Sequence, residues 1–510
     1  MKILFIASEC APLAKVGGLG DVVSGLAKQL RSEGHDVRIV MPLYGQIDPK
    51  TTALKFMGPV CVHLGGRQEL WAGVYEGLLD NLIPIWFLEH GEFFGRPGIY
   101  NENNREYGDN AFRFAFFSKA VLQVCKDRDF LPDVMHAHDW PGSPVAAYLK
   151  TWDRVLSPLA ATATVLTIHN IGYQGVYPAD VMPFLGLGKQ WFVPDVCEDH
   201  GRVNFLKMGV YFADAITTVS PAHAEEILSP EGGRGLAPYL NRRRADFSGI
   251  LNGADYSHWS PESDRLIPEN FSIHDLSGKA ECRRRLKERF GLDEDDSPVV
   301  GVVSRFVEQK GLHLAVAVLD RLLASLPFQL VVLGSGDAGL EDYFQKLPLR
   351  FPGRAGAFIG FSNELSHWIT AGSDFFLVPS LYEPCGLTQI YAMRYGTLPI
   401  VRSTGGLRDT VEDYDPETRL GTGFAFDDPA PEALEAVLRR ALETWNARPD
   451  RIARLMRQAM EQDFSWEKPA GEYLKVYRQA IENRRKLLEA EGVASGKPRL
   501  ALNPMLESLG

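Results

Sequence analysis

Several protein classes are disfavoured by what the sequence lacks. Its six cysteines contain no C-x-x-C pair, so their spacing fits neither a disulfide framework nor a zinc site and suits a reducing cytosol. No apolar run approaches the ~18 consecutive residues of a membrane-spanning helix. Basic residues are in the minority, with 54 Lys and Arg against 65 Asp and Glu and a formal net charge of −11. Because a nucleic-acid binder needs a basic surface, we expect neither nucleic acid nor a membrane as a partner.

The sequence does contain enough apolar residues for more than one core. Of its 510 residues, 45% are hydrophobic and 23% are charged. At roughly 100–200 residues per domain, this length predicts two large domains. The apolar run at residues 2–8 is too short for a signal peptide and is followed by Glu9, so it predicts a first strand. We therefore expect a cytoplasmic α/β protein.

Short apolar runs alternate with helix-length segments along most of the chain. Apolar runs that predict strands occupy residues 2–8, 37–41, 83–88, 134–137, 164–168 and 215–219, and a second series begins after the turn at 252–255. Two doubly wound sheets in tandem are the economical interpretation. We place the domain boundary at residues 250 and 251, a C-terminal helix at about 466–489 and a flexible tail at 492–510.

Polar residues follow the predicted strands consistently. Open α/β sheets bind ligands outside the carboxyl ends of their strands, so these polar residues are site candidates. In the first half they are Glu9, Lys15, His136, His138, Asp139, His169 and Asn170, and in the second half they are Arg305, Lys310, the turn at 334–336 and Glu383. Two sheets whose polar rims face each other predict an enzyme with a cleft.

Two glycine-rich turns are candidates for phosphate contact. Residues 15–19 (KVGGL) precede a helix N-terminus, where backbone N–H groups and Lys15 can meet an anion, although a tight turn with a solvated lysine explains them equally well. Residues 334–339 (GSGDAG) match the dinucleotide pattern G-x-G-x-x-G. Because they follow the second strand of their domain and no acidic residue lies at 356–360 to hold a ribose, we disfavour a nicotinamide enzyme.

Arg305 and Lys310 stand at the end of a predicted strand, just before a helix. Two cations in this position can neutralise a diphosphate as it becomes a leaving group, a role otherwise given to a metal. The alternative is a surface ion pair between Arg305 and Glu308, which contributes little energy. The position directly after a buried strand favours the functional interpretation.

Residues 136–140 (HAHDW) contain two histidines, which are common metal ligands. His136 and His138 share one side of a strand end, but no third ligand stands at a recognisable spacing. The D-x-D pairs elsewhere lie in predicted loops or helix ends, and we interpret them as solvated surface. We therefore predict no metal. Asp139 and Trp140 are better explained as sugar contacts, because a carboxylate accepts hydrogen bonds from hydroxyls and an indole packs on a pyranose face.

Residues 383–388 (EPCGLT) form the most specific segment. A carboxylate, a proline-shaped turn and a glycine lead directly into a predicted helix N-terminus. This arrangement offers free N–H groups to a phosphate and one acid to sugar hydroxyls. A purely structural loop is the alternative, but it does not explain a charged residue so soon after the buried run at 375–380 (FFLVPS).

In combination these blocks resemble the bacterial glycogen synthase and plant starch synthase family of retaining glycosyltransferases. Seven blocks occur in family order over nearly the whole chain: 15–19 (KVGGL), 136–140 (HAHDW), 167–170 (TIHN), 251–255 (LNGAD), 304–311 (SRFVEQKG), 383–388 (EPCGLT) and 403–409 (STGGLRD). The resemblance implies the GT-B architecture, with two Rossmann-like doubly wound domains facing a deep cleft. Residues 1–250 would form the glucan acceptor side, completed by the crossing helix at 466–489, and residues 251–465 the nucleotide-sugar donor side.

The resemblance also implies roles for matching positions. His169 is the expected residue of the catalytic centre, with its backbone carbonyl near the anomeric carbon. Glu383 would bind the donor glucose with Cys385 beside it, while Arg305 and Lys310 would hold the diphosphate. The remaining implied donor-binding residues are Lys15, Gly18, Asp21, Asn252, Phe361, Gly386, Leu387 and Thr388. The implied sugar and acceptor pocket consists of Glu9, Tyr100, Asp139, Trp140 and Asn170.

Two positions depart from related glycosyltransferases. Tyr391 stands eight residues after Glu383, where many relatives carry a second glutamate for the donor ribose, and the tyrosine is typical of glycogen synthases. Phe361 stands where bacterial members can stack a tyrosine on adenine. A phenylalanine ring can stack on adenine without the tyrosine hydroxyl. ADP-glucose is therefore the favoured donor, and UDP-glucose is the alternative.

The implied reaction transfers glucose from ADP-glucose to the non-reducing 4-OH of an α-1,4-glucan with retention, without a cofactor or metal. Double displacement would need a carboxylate nucleophile, but the matching block offers His169, so we expect front-face departure of ADP. Closure of the two domains is also expected, because Lys15 and Arg305 lie in different halves. The alternatives from other classes are an inert glucan-binding protein, which intact Glu383, Arg305 and Lys310 oppose, and a nicotinamide oxidoreductase. The sequence leaves the oligomeric state open.

Overall fold

A computed structural model describes residues 1–102, 105–154 and 157–491, and the chain divides into two compact units. The first domain contains residues 1–218, 227–250 and the C-terminal segment from residue 467, and the second contains residues 219–226 and 251–466. The chain therefore passes from one domain to the other four times. Residues 219–226, which the sequence analysis placed in the first domain, belong to the second. The predicted tail at 492–510 lies outside the described residues.

A single large sheet forms the centre of the first domain. Strands of this domain are β1 (Lys2–Ile6), β2 (Asp36–Pro42), β3 (Lys55–His63), β4 (Glu69–Leu79), β5 (Ile83–Glu89), β6 (Asn101–Glu102), β7 (Arg105–Glu106), β8 (Val134–His138), β9 (Ala163–Ile168), β10 (Val176–Pro178), β11 (Glu198–Asp199), β12 (Arg202–Asn204), β13 (Ala215–Thr218) and β14 (Phe247–Gly249). In the described residues the large sheet has the order β14-β13-β9-β8-β1-β2-β5-β4-β3. All neighbours are parallel except β3 with β4 and β4 with β5.

Helices cover this sheet. They are α1 (Gly18–Ser32), α2 (Gly91–Phe94), α3 (Asn110–Asp127), α4 (Asp139–Gly142), α5 (Pro144–Thr151), α6 (Met182–Leu185), α7 (Phe205–Phe212), α9 (Ala237–Arg242) and α18 (Glu467–Ala490), with numbering that follows the whole chain. β9 is buried at every position, as expected of a parallel strand covered on both faces. α18 packs against β8, β9 and β13 and buries Tyr473 and Tyr477 completely, so the C-terminal helix is part of the first domain's core.

The second domain is a smaller parallel sheet with helices on its faces. Its strands are β15 (Val299–Phe306), β16 (Gln329–Gly336), β17 (Ala355–Ile359), β18 (Phe375–Val378), β19 (Leu398–Arg402) and β20 (Phe424–Phe426). Its helices are α8 (Pro221–Ile227), α10 (Ser277–Phe290), α11 (Leu312–Ser325), α12 (Ala338–Arg350), α13 (Asn363–Gly372), α14 (Thr388–Arg394), α15 (Gly405–Thr410), α16 (Pro431–Ala447) and α17 (Pro449–Met460). The last residue of α8, Ile227, is counted with the first domain. The strand order is β17-β16-β15-β18-β19-β20, and all pairs are parallel.

Each of the two large sheets has one switch point, at which the strand order reverses. In the first domain this point lies between β1 and β8, and in the second it lies between β15 and β18. In open α/β sheets, ligands bind in the crevice outside the carboxyl ends of the strands at such a point. The topology therefore predicts that ligand-binding residues follow these four strands.

No helix in the described part of the chain is both long enough and apolar enough to cross a lipid bilayer.

Candidate functional site

Glu9 organises the loop that follows β1. Its side chain is buried, and its Oε2 atom accepts hydrogen bonds from the backbone N–H groups of Val16 (2.6 Å) and Gly17 (3.1 Å). Its Oε1 atom accepts from the Tyr100 hydroxyl (2.7 Å), which also hydrogen-bonds to Ser8 Oγ (2.7 Å). Two N–H groups that the sequence analysis offered to a phosphate therefore already have Glu9 as their acceptor, and Glu9 shapes the loop.

Lys15 and Asp21 are brought together at the start of α1. The Lys15 Nζ atom donates to both carboxylate oxygens of Asp21, at 2.8 and 3.0 Å, and the Lys15 side chain is 41% exposed. Gly18 is the first residue of α1. A side chain at Gly20 would place its Cβ 2.8 Å from the Cβ of Lys15, so a glycine there permits the loop to fold back. Exposed ion pairs contribute little energy, so a phosphate can replace Asp21 as the partner of Lys15 at small cost.

Asp139 fixes the backbone where β9 ends. Its Oδ1 atom accepts hydrogen bonds from the backbone N–H groups of His169 (2.7 Å) and Asn170 (3.4 Å). Asp139 adopts φ = +52°, a left-handed conformation that aspartate tolerates better than most residues. Burial raises the pKa of Asp139 to about 8, against the lowering effect of the two N–H donors. The structure thus brings together Asp139, His169 and Asn170.

His138 and His169 form a direct pair between their imidazole rings. His138 Nδ1 lies 2.9 Å from His169 Nε2, and both side chains are buried. Burial lowers the pKa of His169 to about 3 and holds the pKa of His138 well below its usual value. Both rings are therefore neutral near pH 7, so one ring donates the shared hydrogen bond and the other accepts it.

His136 is held by protein groups on both ring nitrogens. Its Nε2 atom lies 2.6 Å from Thr167 Oγ1, and its Nδ1 atom lies 2.9 Å from the Tyr477 hydroxyl on α18. The centroid of its ring lies 4.1 Å from that of His138. Metal ligation would have to break one of these buried hydrogen bonds, which argues against a zinc ion on the two histidines.

A cluster of metal-ligand types lies elsewhere, on the hairpin of β3 and β4. Within the described residues, Cys61, His63 and Glu69 form the one group of three or more such side chains whose ligand atoms all lie within 4.8 Å of one another. His63 and Glu69 are exposed, and Cys61 is half-buried. Exposed groups of this kind commonly lie together without an ion, so we assign no metal to them.

Trp140 packs in the core of the first domain rather than on an open surface. It is 7% exposed, and its ring contacts Phe114 (centroids 4.9 Å apart) and Tyr177 (5.5 Å apart). A Cβ at Gly175 would lie 2.6 Å from the indole. The prediction that this indole stacks on a sugar ring is therefore revised, because protein groups pack closely around it. Its ring lies near that of Tyr100, with centroids 6.1 Å apart.

Glu383 and Lys310 form an ion pair at the switch point of the second sheet. Lys310 Nζ lies 2.5 Å from Glu383 Oε2, and the same oxygen accepts a hydrogen bond from Ser380 Oγ (2.9 Å). Glu383 is 5% exposed. The lysine that follows β15 and the glutamate that follows β18 thus meet at the carboxyl edge of the sheet.

Arg305, Lys310 and Thr388 line one cavity of about 140 Å³, together with Ser380. Arg305 is exposed, and its guanidinium forms no ion pair with any residue that the structure describes. The ion pair between Arg305 and Glu308, which was the alternative interpretation of the sequence, is therefore not formed in the described part of the chain. Two cations beside the first residue of α14 make this cavity suited to a phosphate-bearing ligand.

The backbone of the Glu383 loop is held from two sides. Ser220 Oγ donates to the Pro384 carbonyl (2.6 Å), and the Gly406 N–H donates to the Glu383 carbonyl (3.0 Å). Gly405 adopts φ = +46°, and a Cβ there would lie 2.0 Å from the Glu383 carbonyl oxygen. Glycine at 405 in the block at 403–409 (STGGLRD) is therefore required for the close approach of two loops.

Cys385 and Asn252 are in direct contact. Burial raises the pKa of the Cys385 thiol to about 12, although hydrogen bonds from Asn252 oppose the shift. The thiol is therefore protonated near pH 7 and is a packing and hydrogen-bonding group rather than a nucleophile. Asn252 Oδ1 is buried and has no hydrogen-bond partner within the described residues.

The loop from Gly386 to Thr388 leads into α14. Gly386 adopts φ = +73°, and Gln389 Nε2 donates to the carbonyls of Cys385 (3.1 Å) and Gly386 (3.0 Å). Leu387 precedes α14, and Thr388 is its first residue. The predicted donor-binding residues of this segment therefore lie beside the cavity of Arg305 and Lys310.

The turn at 334–339 has a structural explanation that needs no dinucleotide. A Cβ at Gly334 would lie 2.0 Å from the Ser304 carbonyl oxygen, and one at Gly336 would lie 2.3 Å from that of Phe306. Asp337 caps α12 by accepting from the N–H groups of Gly339 and Leu340. Because the helix N-terminus is occupied by its own aspartate, it is not open to a pyrophosphate, which opposes the nicotinamide alternative.

Two further positions of the second domain differ in exposure. Phe361 is 82% exposed. It follows Gly360, whose N–H donates to the Gly334 carbonyl. An exposed ring at the carboxyl edge of the sheet suits the predicted stacking on a base. Tyr391 is 7% exposed and stacks on Trp259, with centroids 4.2 Å apart and an angle of 3° between the rings. Tyr391 is therefore a packing residue.

The site residues fall into two groups, one in each domain. Several polar residues in direct contact with them were not assigned roles from the sequence, among them Ser220 and Ser380. His138 was predicted to lie at the end of a strand and was weighed as a metal ligand, but it was given no role in the site. Ser220 and Ser380 each stand directly after an apolar run, which is the same signal that identified Glu383.

Comparisons with known proteins agree over most of the chain. The family model described as the starch synthase catalytic domain matches residues 2–242, and that of glycosyl transferases group 1 matches residues 284–458. The chain is 44% identical to "Glycogen synthase 1" of Geobacter sulfurreducens over 95% of this chain and 97% of the relative. It is 43% identical to "Glycogen synthase" of Treponema denticola over 96% and 100%.

Solved structures show the same relationship. The catalytic domain of starch synthase IV from Arabidopsis thaliana, bound to ADP and acarbose, superposes with a TM-score of 0.88 at 35% identity over 94% of this chain and 99% of that one. Sucrose-phosphate synthase from Thermosynechococcus elongatus, at 20% identity and a TM-score of 0.59, shares the fold. The predicted pair of doubly wound, Rossmann-like domains is thereby confirmed. The chain belongs to the glycogen synthase and starch synthase family of GT-B glycosyltransferases.

Proposed function

We propose that this protein is a glycogen synthase that transfers glucose from ADP-glucose to the non-reducing end of an α-1,4-glucan and retains the α configuration. The observation that carries the proposal is the cavity at the second sheet's switch point, which Arg305, Lys310 and Thr388 line and which Lys310 connects to Glu383. A diphosphate fits the two cations, and the glucose hydroxyls fit the carboxylate. The ADP bound to the starch synthase IV structure supports an adenine nucleotide as the donor.

The two cations supply the charge stabilisation that the departing group needs. As the bond between the anomeric carbon and ADP breaks, negative charge accumulates on the diphosphate, and fixed positive groups lower the energy of that state. Arg305 has no competing carboxylate among the described residues, and Lys310 is already oriented by Glu383. We therefore propose that transfer needs neither a metal nor a cofactor.

The carboxylates of the first domain support front-face transfer rather than double displacement. A covalent intermediate needs an ionised carboxylate that is free to attack. Glu9 is engaged by two backbone N–H groups and by Tyr100. Asp139 accepts from two backbone N–H groups, and its raised pKa of about 8 keeps it largely protonated at neutral pH. We therefore propose that the acceptor hydroxyl attacks from the side that ADP leaves.

A donor competition assay tests the proposal. Purified protein is given glycogen and either ADP-glucose or UDP-glucose, with and without EDTA, and glucosyl incorporation is measured. We expect a higher kcat/KM with ADP-glucose and no loss of rate with EDTA. A preference for UDP-glucose would refute the donor assignment, and a loss of rate that Mg²⁺ restores would refute the metal-independent mechanism. A glucosylated carboxylate trapped in the reaction would contradict front-face transfer.

A further inference from the structure

Among the described residues, the histidine pair of the first domain leaves one buried ring nitrogen, His138 Nε2, without a hydrogen-bond partner. His138 Nδ1 lies 2.9 Å from His169 Nε2, whereas His138 Nε2 is buried and has no hydrogen-bond partner within the described residues. Two arrangements of protons fit the short distance between the rings. They differ in which ring donates, and hence in what His138 Nε2 must carry.

In one arrangement His138 donates from Nδ1, and its Nε2 is a bare lone pair. In the other, His169 donates from Nε2, and His138, which is neutral, must then carry its proton on Nε2. The second arrangement buries an N–H donor that has no acceptor. Orphaned buried N–H groups are rarer in native structures than acceptors left without a donor, so the first arrangement is favoured.

We propose that His138 is a positioning residue that fixes His169 as the tautomer protonated on Nδ1, so that His169 can donate a hydrogen bond to a hydroxyl of the bound sugar. With Nε2 accepting from His138, Nδ1 is the one remaining donor of the neutral His169 ring. The tautomer follows from the protein alone. Its use in glucosyl transfer rests on the proposed function.

Neighbouring side chains restrict rotation of the His138 ring. On one side the centroid of the His136 ring lies 4.1 Å away, and that of Phe5 lies 5.4 Å away. His136 is itself held by hydrogen bonds to Thr167 and Tyr477. Because His138 is fully buried among these groups, exchanging its two ring nitrogens would require repacking of its neighbours.

Two substitutions separate hydrogen-bond donation from packing. In His138→Asn the amide nitrogen stands close to the place of Nδ1 and can still donate to His169. In His138→Leu the side chain has comparable bulk and donates nothing. A role in packing alone would be impaired similarly by both variants, whereas the proposed role predicts that Asn rescues what Leu loses.

The first measurement is the tautomer itself. The full-length protein is labelled with ¹⁵N-histidine, and long-range ¹⁵N–¹H correlation spectra are recorded, with the His169 signals assigned from the His169→Gln variant. We expect a protonated Nδ1 on His169 in the wild type and in His138→Asn, and a mixture of tautomers in His138→Leu. A protonated Nε2 on His169 in the wild type would overturn the proposal, whatever the folding of the variants.

The second measurement connects the tautomer with transfer. We expect His138→Leu to lower kcat on the order of a hundredfold, since one preorganised donor is lost, and His138→Asn to recover most of that loss. Equal kcat values in the two folded variants would overturn the role in transfer. If the wild type shows the expected tautomer but transfers glucose from no nucleotide sugar, the proposed function fails while the tautomer assignment stands.

Discussion

Arg305 and Lys310 differ in their partners, and this difference leads to different predictions for the effects of their removal on catalysis and on stability. Lys310 neutralises the buried Glu383, so its removal leaves an unpaired carboxylate in the protein interior. Arg305 is exposed and forms no ion pair with the described residues. The two residues therefore line the same cavity but have different structural roles.

We predict that Arg305→Ala lowers kcat by roughly a hundredfold or more with an unchanged melting temperature, because only charge at the leaving group is lost. Lys310→Ala should lower both kcat and the melting temperature, with a loss of stability of about 3 kcal/mol. Glucosyl transfer assays and thermal unfolding measure these effects. Lys346→Ala is the control, since Lys346 pairs with Asp342 on the exposed surface of α12. Near-normal turnover of both site variants would contradict the assignment.

Asp139 provides a pH-dependent prediction of stability. Burial raises its pKa from the usual 3.8 to about 8 in the folded protein. Between these values the folded state binds more protons than the unfolded state, so the free energy of unfolding falls as the pH rises from about 4 to about 8. Above the folded pKa the contribution is constant.

In Asp139→Asn this group no longer titrates, while an amide oxygen can still accept from His169 and Asn170. We predict that the wild type loses more stability than the variant between about pH 4 and about pH 8, as measured by urea unfolding across that range. Parallel stability curves for the two proteins would show that Asp139 titrates near its ordinary value.

For the site residues, the sequence predicts the position of a side chain in the fold but not its hydrogen-bond and packing partners. The position after a strand locates Glu9, Asp139 and Glu383 correctly at the edge of a sheet, because that follows from topology. It does not reveal that Glu9 accepts from Val16 and Gly17, since those N–H groups depend on the path of the following loop. Trp140 was misjudged for the same reason, because its packing against Tyr177 joins residues far apart in the sequence.

Among the elements, the Glu383 loop depends on a segment more than 150 residues earlier in the chain. Ser220 at the start of α8 donates to the Pro384 carbonyl, and Glu226 accepts from the Gly405 N–H (2.7 Å). Both contacts lie within the second domain. The short segment 219–226 thus supports the loop that carries the glutamate.

We predict that Ser220→Ala raises the KM for the donor several-fold and lowers stability by about 1 kcal/mol, since one buried hydrogen bond is lost. Steady-state kinetics and thermal unfolding are the measurements. Ser325→Ala is the matched control, because Ser325 also donates to a carbonyl, that of Arg321, but within the exposed end of α11. Identical donor KM values for the two variants would contradict the positioning role of Ser220.

Elements with continuous apolar runs were predicted, and those with alternating patterns were missed. β1, β5, β8 and β9 were each found from such a run. β3 and β4 were not predicted, because they form an antiparallel edge in which Val60 and Val62 are buried while Pro59 and His63 are exposed. The alternation expected of a sheet with one open face is a weaker signal over a strand interrupted by Gly58 and Pro59.

Considered as a whole, the molecule interleaves its two domains along the chain. The order of the seven sequence blocks identified the family, and the comparisons confirm it. The return of the C-terminal helix came from the family resemblance and not from its residues, because amphipathic periodicity shows that a helix buries one face but not against which partner. Nothing in the composition of residues 219–226 indicates their place in the second domain.

We predict that a fragment of residues 1–250 does not fold cooperatively by itself. It lacks α18, whose Tyr473, Tyr477 and Arg484 are buried in the first domain. Without that helix the sheet exposes apolar surface, and His136 loses the Tyr477 hydroxyl. Circular dichroism and size-exclusion chromatography should show an aggregating or partly folded fragment, and a peptide of residues 467–491 should restore a cooperative thermal transition. A monomeric fragment with a sharp transition and no peptide would disprove this dependence.

The late position of α18 has a consequence for how the protein is made in the cell. After residue 250 leaves the ribosome, 216 more residues must be translated before the first residue of α18. At about 5–20 residues per second, this delay is roughly 10–40 seconds. During that interval the nascent first domain presents an uncovered apolar face, which makes it a natural client for chaperones that act during translation.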